Sequence, residues 1–111
     1  MSVVVSIADL PAAIGVQIGW CYLLSVSDDG QARVLAIDPQ WVDDHAALRA
    51  KVGPGTARNV SARSAVSMVW PPADPKGFTL IADGVAEVDG TILTFRPSSA
   101  VMHRPAIHEA S

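Results

Sequence analysis

The residues from Val16 to Ser27 alternate between two faces of an extended chain, and this pattern constrains the fold more than any other. One face carries mostly large apolar side chains, namely Ile18, Trp20, Tyr22, Leu24 and Val26; the other carries Gln17, Gly19, Cys21, Ser25 and Ser27. A period of two over this length is typical of a half-buried β-strand. Asp28-Asp29-Gly30 follows, and its glycine can adopt the positive φ of a tight turn. We therefore predict a hairpin in which Gln31 to Ile37 returns as the second strand.

More strand segments follow at short intervals. Ala65 to Trp70, Phe78 to Val88 and Thr91 to Phe95 are predicted strands, and in the first of them Val66, Met68 and Trp70 share one face; Ala100 to Arg104 is a possible last short strand. The residues between the first two, 71–77, predict a stiff polar hairpin loop. Asp89-Gly90 predicts a turn before Thr91, and the segment 96–99 ends the strand that begins there.

Two short features need separate interpretation. Asp83-Gly84 interrupts the long predicted strand, and the short flanks favour a β-bulge over a hairpin turn. Trp41 to Val52 is ambiguous, because Asp43 or Asp44 could cap a helix over His45 to Lys51 while the same residues also alternate.

Helix signals are brief. Asp9 to Gly15 predicts one or two turns of helix, with Pro11 in the first turn and Gly15 at the end. Thr56 is the predicted N-cap of a second short helix. About six strands with two short helices predict a mainly β, small closed or partly closed barrel.

Composition limits the class of protein. A chain of 111 residues allows one domain, 1–111. Hydrophobic residues make up 50% and charged residues 17%, which excludes disorder and predicts an apolar subunit interface. The net charge of −3 without a basic run argues against a nucleic-acid binder. No apolar stretch is long enough to span a membrane, and Met1 to Val5 lacks the basic start of a secretory signal, so we expect a cytoplasmic protein.

Several kinds of catalytic site are weakly supported. His45, His103 and His108 lack metal-ligand spacing, so no metal site is predicted. Cys21 lies within a predicted strand, where a buried structural thiol is expected rather than a nucleophile. The carboxylate pairs 28–29 and 43–44 are explained by turns or a helix cap.

An anion site has better support. Gly53-Pro54-Gly55-Thr56 leads into a predicted helix, and free backbone N–H groups with the helix dipole attract phosphate at such a start. Arg58 follows closely, and Arg33 on the predicted hairpin could add a bidentate contact.

The order of these segments resembles the pyridoxamine 5′-phosphate oxidase-like family of flavin-binding split β-barrels. The segments that carry the resemblance span roughly residues 10 to 106 and are Gly19 to Val26, the turn at Gly30, Arg33 to Ile37, Thr56 to Val60, Ala65 to Trp70, Ala82 to Val88 and Val101 to Pro105. It implies a split β-barrel of about six to seven mostly antiparallel strands with one or two short helices. It also implies that His45 to Val52 is a barrel strand, and it supports the bulge at Gly84.

The resemblance further implies a homodimer with a cofactor between the subunits, FMN or alternatively a deazaflavin. The positions carried over as cofactor-binding are Arg33, Val34, Leu35, Ala36, Lys51, Gly55, Thr56, Arg58 and Thr79. The chain departs from the family at three places. Asp38 replaces a lysine, Pro54-Gly55-Thr56 replaces a Ser-Arg-Lys phosphate-binding segment, and Thr79 replaces a glutamine that contacts the flavin ring.

Three functions remain open from the sequence. The first is an FMN- or deazaflavin-dependent oxidoreductase of unknown substrate, with catalytic residues unknown. The second is a homodimeric split barrel that has lost the cofactor and acts as a binding or structural module, since family cations are missing. The third is a protein that binds another planar ligand, such as haem, through His103 or His45.

Overall fold

One curved antiparallel sheet makes up most of the computed structural model, which describes residues 1–105. The strands are β1 (Ser2–Val5), β2 (Cys21–Val26), β3 (Ala32–Ile37), β4 (Gln40–Val42), β5 (Ala47–Lys51), β6 (Ala65–Trp70), β7 (Thr79–Asp89) and β8 (Ile92–His103). A 3₁₀ turn (Ile7–Asp9) leads into helix α1 (Leu10–Gly15), and helix α2 (Pro54–Ala62) joins β5 to β6.

The sheet order explains why the barrel is split. Seven strands run in the order β3-β2-β6-β7-β8-β5-β4, and β1 pairs with the second half of β8. Within residues 1–105, β3 and β4 do not pair with each other, so the curved sheet stays open between them. The predicted mainly β split barrel with two short helices is confirmed, with β1 as a strand that the sequence did not predict.

The concave face of the sheet holds the hydrophobic core. Val66, Met68 and Trp70 on β6 are buried together, as the alternation predicts. Leu80 on β7 and Phe95 on β8 are fully buried beside them. This packing is the main stabilising contribution, because apolar burial contributes about 25 cal/mol per Å².

The predicted first strand is wrong in its extent. The prediction runs from Val16 to Ser27, whereas the observed strand β2 begins at Cys21. Gln17 forms only an isolated bridge to Pro72. The Gln17 amide donates to the Trp70 and Phe78 carbonyl oxygens at 3.1 and 2.7 Å, which fixes this segment without a ladder. Within β2, Cys21 faces the core, whereas the more apolar face that contains Tyr22 lies outward.

The ambiguous segment forms a strand, as the family resemblance implied, and not a helix. β5 starts at Ala47 instead of His45, because Asp43, Asp44 and His45 have positive φ angles of 54°, 54° and 67° and form a turn. Leu48 pairs with both Trp41 and Phe95, and this two-sided pairing overrides helix propensity.

The predicted bulge at Gly84 is confirmed, whereas the predicted break at 96–99 is wrong. β8 runs through this segment, with Gly84 opposite Pro97 and Asp83 opposite Ser99. Ser98 is therefore the extra residue, and its hydroxyl donates to the Asp83 carbonyl oxygen at 3.1 Å. The bulge absorbs the proline that would otherwise interrupt the ladder.

Candidate functional site

A pocket of about 350 Å³ lies between the β2–β3 hairpin and the first turns of α2. Six residues line it, namely Ser27, Arg33, Gly55, Thr56, Arg58 and Asn59. Four of the nine predicted cofactor-binding residues are among them, although they come from parts of the chain more than 20 positions apart. The fold thus brings the predicted anion-binding residues together.

The start of α2 presents free hydrogen-bond donors to this pocket. Gly53, and not the predicted Thr56, is the N-cap, and no side chain caps the helix. The N–H of Ala57 is the first to bond within the helix, to Gly53 O at 3.0 Å, and Pro54 has no N–H. The N–H groups of Gly55 and Thr56 are therefore orphan donors, and no acidic residue in the first turn offsets the helix dipole.

Asn59 adds a buried polar group that the sequence interpretation missed. The residue as a whole is 9% exposed and lines the pocket, and its amide forms no hydrogen bond with any of residues 1–105 while staying accessible to solvent. Within residues 1–105 no side-chain nitrogen or oxygen is both buried and unpaired, so the Asn59 amide is open to the pocket and can bond to a ligand or to water. Its spacing of three residues from Thr56 places both on one helix face, and this is the signal that could have found it.

The hairpin supplies the other wall and carries an internal acidic group. The Ser27 hydroxyl donates to the Asp29 carboxylate, whose other oxygen lies 3.8 Å from the Arg33 guanidinium. The hydrogen bond from Ser27, followed by the Gln31 N–H and the charge of Arg33, holds the pKa of Asp29 below its usual 3.8. Asp29 therefore remains charged at neutral pH and is linked to two residues that line the pocket.

Arg63 fixes the hairpin against α2. Its Nε donates to Val26 O at 2.9 Å, and its guanidinium forms an ion pair with Asp28 at 2.6 Å. These contacts join the end of α2 to the end of β2. The width of the pocket therefore depends on a residue that does not line it.

The remaining predicted site residues do not line this pocket. Val34, Leu35 and Ala36 lie on β3, the edge strand that pairs with β2 on one side only, with Val34 exposed and Leu35 turned toward the core. Lys51 is exposed at the end of β5, and Thr79 pairs with His103 at the start of β7. Their predicted contacts with a cofactor remain predictions.

The other reactive side chains have structural surroundings. Burial, and secondarily the Asp38 carboxylate, raises the pKa of Cys21 to about 12, which makes this thiol unreactive. His45 packs against Trp41, and His103 shares a hydrogen bond with Ser2. Residues 1–105 contain no group of three potential metal ligands; His108 lies outside the described residues.

The convex side of the sheet carries an unusual row of apolar side chains. We define the outer apolar row by one position from each of six adjacent strands, in register: Val4, Val101, Ile81, Val69, Tyr22 and Ala36. Beside it lies an open groove of about 530 Å³ with Leu24 and Val85 in its walls. The Asp83 carboxylate in this groove accepts a hydrogen bond from Ser67. An apolar surface that crosses six strands is typical of an interaction site.

No helix within the described part of the chain is both long and apolar enough to cross a bilayer. No protein-family model matches the chain. Two mycobacterial proteins do match it: uncharacterized protein Mb0449c of Mycobacterium bovis and uncharacterized protein MT0457 of Mycobacterium tuberculosis. Each is 32% identical in an alignment 102 positions long, and the match covers 78% of this chain and 72% of the relative.

Solved structures show the same fold at low identity. A protein of the pyridoxinephosphate oxidase family from Clostridium acetobutylicum, related to general stress protein 26, superposes with a TM-score of 0.68 at 11% identity, over 90% of this chain and 91% of its own. An F420 reductase gives 0.64 at 18% identity, over 79% and 93%. The FAD binding protein of Mycobacterium smegmatis gives 0.63 at 16% identity, over 94% and 100%. The fold therefore matches the split barrel that the sequence resembles, and the chain belongs to the same family as the mycobacterial proteins Mb0449c and MT0457.

Proposed function

We propose that this protein is a small oxidoreductase that binds FMN or a deazaflavin, and that the pocket beside α2 holds the phosphate of this cofactor. The observation that carries the proposal is one pocket that is lined by Arg33 and Arg58, by the uncapped start of α2 and by the accessible amide of Asn59. Amide, hydroxyl and backbone donors with two guanidinium groups suit phosphoryl oxygens. An F420 reductase and an FAD binding protein among the similar structures support a ligand of this type.

The residues of this chain would bind and orient the cofactor. Arg33 and Arg58 would contact phosphoryl oxygens from opposite walls, while the N–H groups of Gly55 and Thr56 donate from the helix start. The unpaired backbone edge of β3 at 34–36 continues from Arg33 and offers hydrogen-bonding groups for the ring system. When bound, the flavin-type ring supplies hydride transfer, and the protein supplies binding and orientation.

We further propose that a second copy of the chain covers the outer apolar row. Val34, Val85 and Val4 are 61%, 53% and 82% exposed on this side of the sheet. An isologous dimer would bury such a surface against itself, since symmetric dimers use one patch on both subunits. Sedimentation should give twice the chain mass of 11.6 kDa, and Val85→Asp should give a monomer of unchanged secondary structure. A wild-type monomer at micromolar concentration would refute the dimer.

Fluorescence titration tests the cofactor site. FMN should bind saturably to the wild-type chain, and Arg58→Gln or Asn59→Ala should weaken binding by about tenfold, the effect of losing one hydrogen bond to a charged group. Lys76→Gln removes a charge from the exposed 71–77 loop and should leave the affinity unchanged.

The absence of saturable binding of FMN or a deazaflavin would favour the second function, a homodimeric binding or structural module without cofactor. The ion pair between Arg33 and Asp29 supports this second function, because it occupies one of the two cations that line the pocket.

A further inference from the structure

The groove beside the outer apolar row is a second cavity, and it shares no lining residue with the α2 pocket. Its volume is about 530 Å³. Apolar side chains from three strands line it, namely Leu24 and Val26 on β2, Ala65 on β6 and Val85 on β7. We call it the bulge groove, because the residues of the β-bulge form one of its ends.

The bulge brings a charged group to this end of the groove. Asp83, Gly84 and Ser98 belong to the bulge, and all three line the groove. Ser98 is the extra residue of β8, and its hydroxyl donates to the Asp83 carbonyl oxygen at 3.1 Å. Bulges are frequent beside active sites, where they change the direction of a side chain. Here the bulge fixes the backbone that carries the Asp83 carboxylate.

The charge of this carboxylate is not neutralised by the described part of the chain. Within residues 1–105, Asp83 accepts one side-chain hydrogen bond, from the Ser67 hydroxyl, and forms no ion pair. Its neighbours in register are Ser67 on β6 and Ser99 on β8, and neither is cationic. Arg96 lies nearby on β8, but its guanidinium is 3.8 Å from Asp43. The carboxylate therefore keeps acceptor sites and a negative charge for a ligand.

The groove extends from this carboxylate across the neighbouring strands. Asp83, Ser67 and Leu24 are in register on β7, β6 and β2, and Ala32 on β3 lines the far end. Adjacent strands are about 4.8 Å apart, so β7 and β3 are separated by about 14 Å. A ligand that fills the groove thus needs one charged end at β7 and an elongated apolar body that points toward β3.

We propose that the bulge groove binds an apolar monocation, a primary ammonium group on an aliphatic or aromatic body, with Asp83 as its counter-ion. An ammonium group is a donor of three hydrogen bonds, and the Asp83 carboxylate and the Ser67 hydroxyl oxygen accept them. The apolar body covers the walls and is removed from water. A neutral molecule of the same shape loses the charged contact, and an anion is repelled. The site is independent of the proposed cofactor pocket.

Three ligands with the same octyl chain test the inference on the wild-type protein. Isothermal titration calorimetry below the micellar concentration should show saturable binding of n-octylammonium. Octanol should bind more weakly by about tenfold, the effect of one hydrogen bond to a charged group, and octanoate should not bind. n-Butylammonium should also bind more weakly than n-octylammonium, because a shorter chain leaves more of the apolar wall uncovered.

Variants identify the residue responsible. Asp83→Asn should weaken n-octylammonium binding by about tenfold and leave octanol binding unchanged. Glu87→Gln is the matched control, because Glu87 is an exposed carboxylate on the same face of β7 that does not line the groove. Ala65→Phe places a larger side chain in the groove and should weaken the binding of both ligands. Thermal unfolding of each variant checks that it is folded.

The competing occupant of the groove is a second copy of the chain, and sedimentation separates the two. If Asp83→Asn converts a wild-type dimer into a monomer, the groove is a subunit contact and the ligand site is refuted. Equal affinities for n-octylammonium and octanol, or no saturable binding of n-octylammonium, would also overturn the proposal. So would an equal loss of affinity in Glu87→Gln and Asp83→Asn, which would show a general effect of surface charge. The FMN titration is a separate measurement, so the proposed function can fail or stand independently.

Discussion

Replacement of Gly84 by alanine should be among the most damaging single changes in this protein. A Cβ atom at this position would lie 2.2 Å from the Arg96 carbonyl oxygen, 2.9 Å from Pro97 Cα and 2.9 Å from Phe95 Cε1. Two of these atoms belong to the backbone of β8, which cannot move like a flexible side chain. The substitution must therefore separate β7 from β8 at the bulge.

The magnitude follows from overpacking. Insertion of a methyl group into a tightly packed site costs typically 1–3 kcal/mol, and backbone contacts this short place Gly84→Ala near about 3 kcal/mol. With an unfolding entropy of about 2.1 cal/mol/K per residue over 111 residues, this loss corresponds to a fall in Tm of about 13 °C.

The assay is thermal unfolding followed by circular dichroism at one protein concentration, since association shifts Tm. Gly19→Ala is the control, because no atom lies within 4 Å of a Cβ built there. It should leave Tm within about 2 °C of the wild type. A Gly84→Ala variant that unfolds at the same temperature as Gly19→Ala would show that the bulge is not tightly packed and would refute this reasoning.

Three further predictions concern the core, the thiol and pH. Leu93→Ala should lower the free energy of unfolding in urea by about 2–5 kcal/mol, because the side chain is fully buried; a loss below about 1 kcal/mol would contradict the core assignment. Cys21 should not react with a thiol reagent at pH 8 until the protein unfolds, since its pKa is about 12, and rapid labelling of native protein would disprove this. The Asp29 carboxyl should titrate below pH 3.8 by NMR, and Ser27→Ala should raise that midpoint. The stabilisation from Asp29 is then complete above its unfolded pKa of about 3.9 and is lost as the pH falls through the lowered folded value; a midpoint unaffected by Ser27→Ala would show that the hydrogen bond does not cause the shift.

The parts of the fold that the sequence predicts are those governed by local rules. Alternation alone locates β6 and its buried face, because three large side chains at a spacing of two must share one side. Gly30 and Gly90 mark their turns correctly and have positive φ angles of 81° and 62°. The bulge at Gly84 follows from the interruption of an otherwise long strand.

The remaining features depend on partners that are distant in the chain. β5 is a strand because Leu48 lies between Trp41 and Phe95, and neither neighbour is visible in its local sequence. β8 continues through Pro97 because the opposite strand provides a glycine at the register shift.

The candidate site was predictable only in part, for the same reason. Helix-start chemistry and charge indicated Thr56, Arg58 and Arg33, and the fold brings all three to one pocket. Asn59 was missed because its burial depends on packing against the rest of the fold. The proximity of Asp29 to Arg33 depends on the geometry of the hairpin turn.

The most direct test of the account is a crystal structure of the chain grown with FMN, with attention to where the phosphorus lies. The account predicts phosphoryl oxygens about 3 Å from the Asn59 amide and from the Thr56 N–H, with the ring system along the edge of β3. A phosphate bound elsewhere, with the α2 pocket filled only by water, would contradict it.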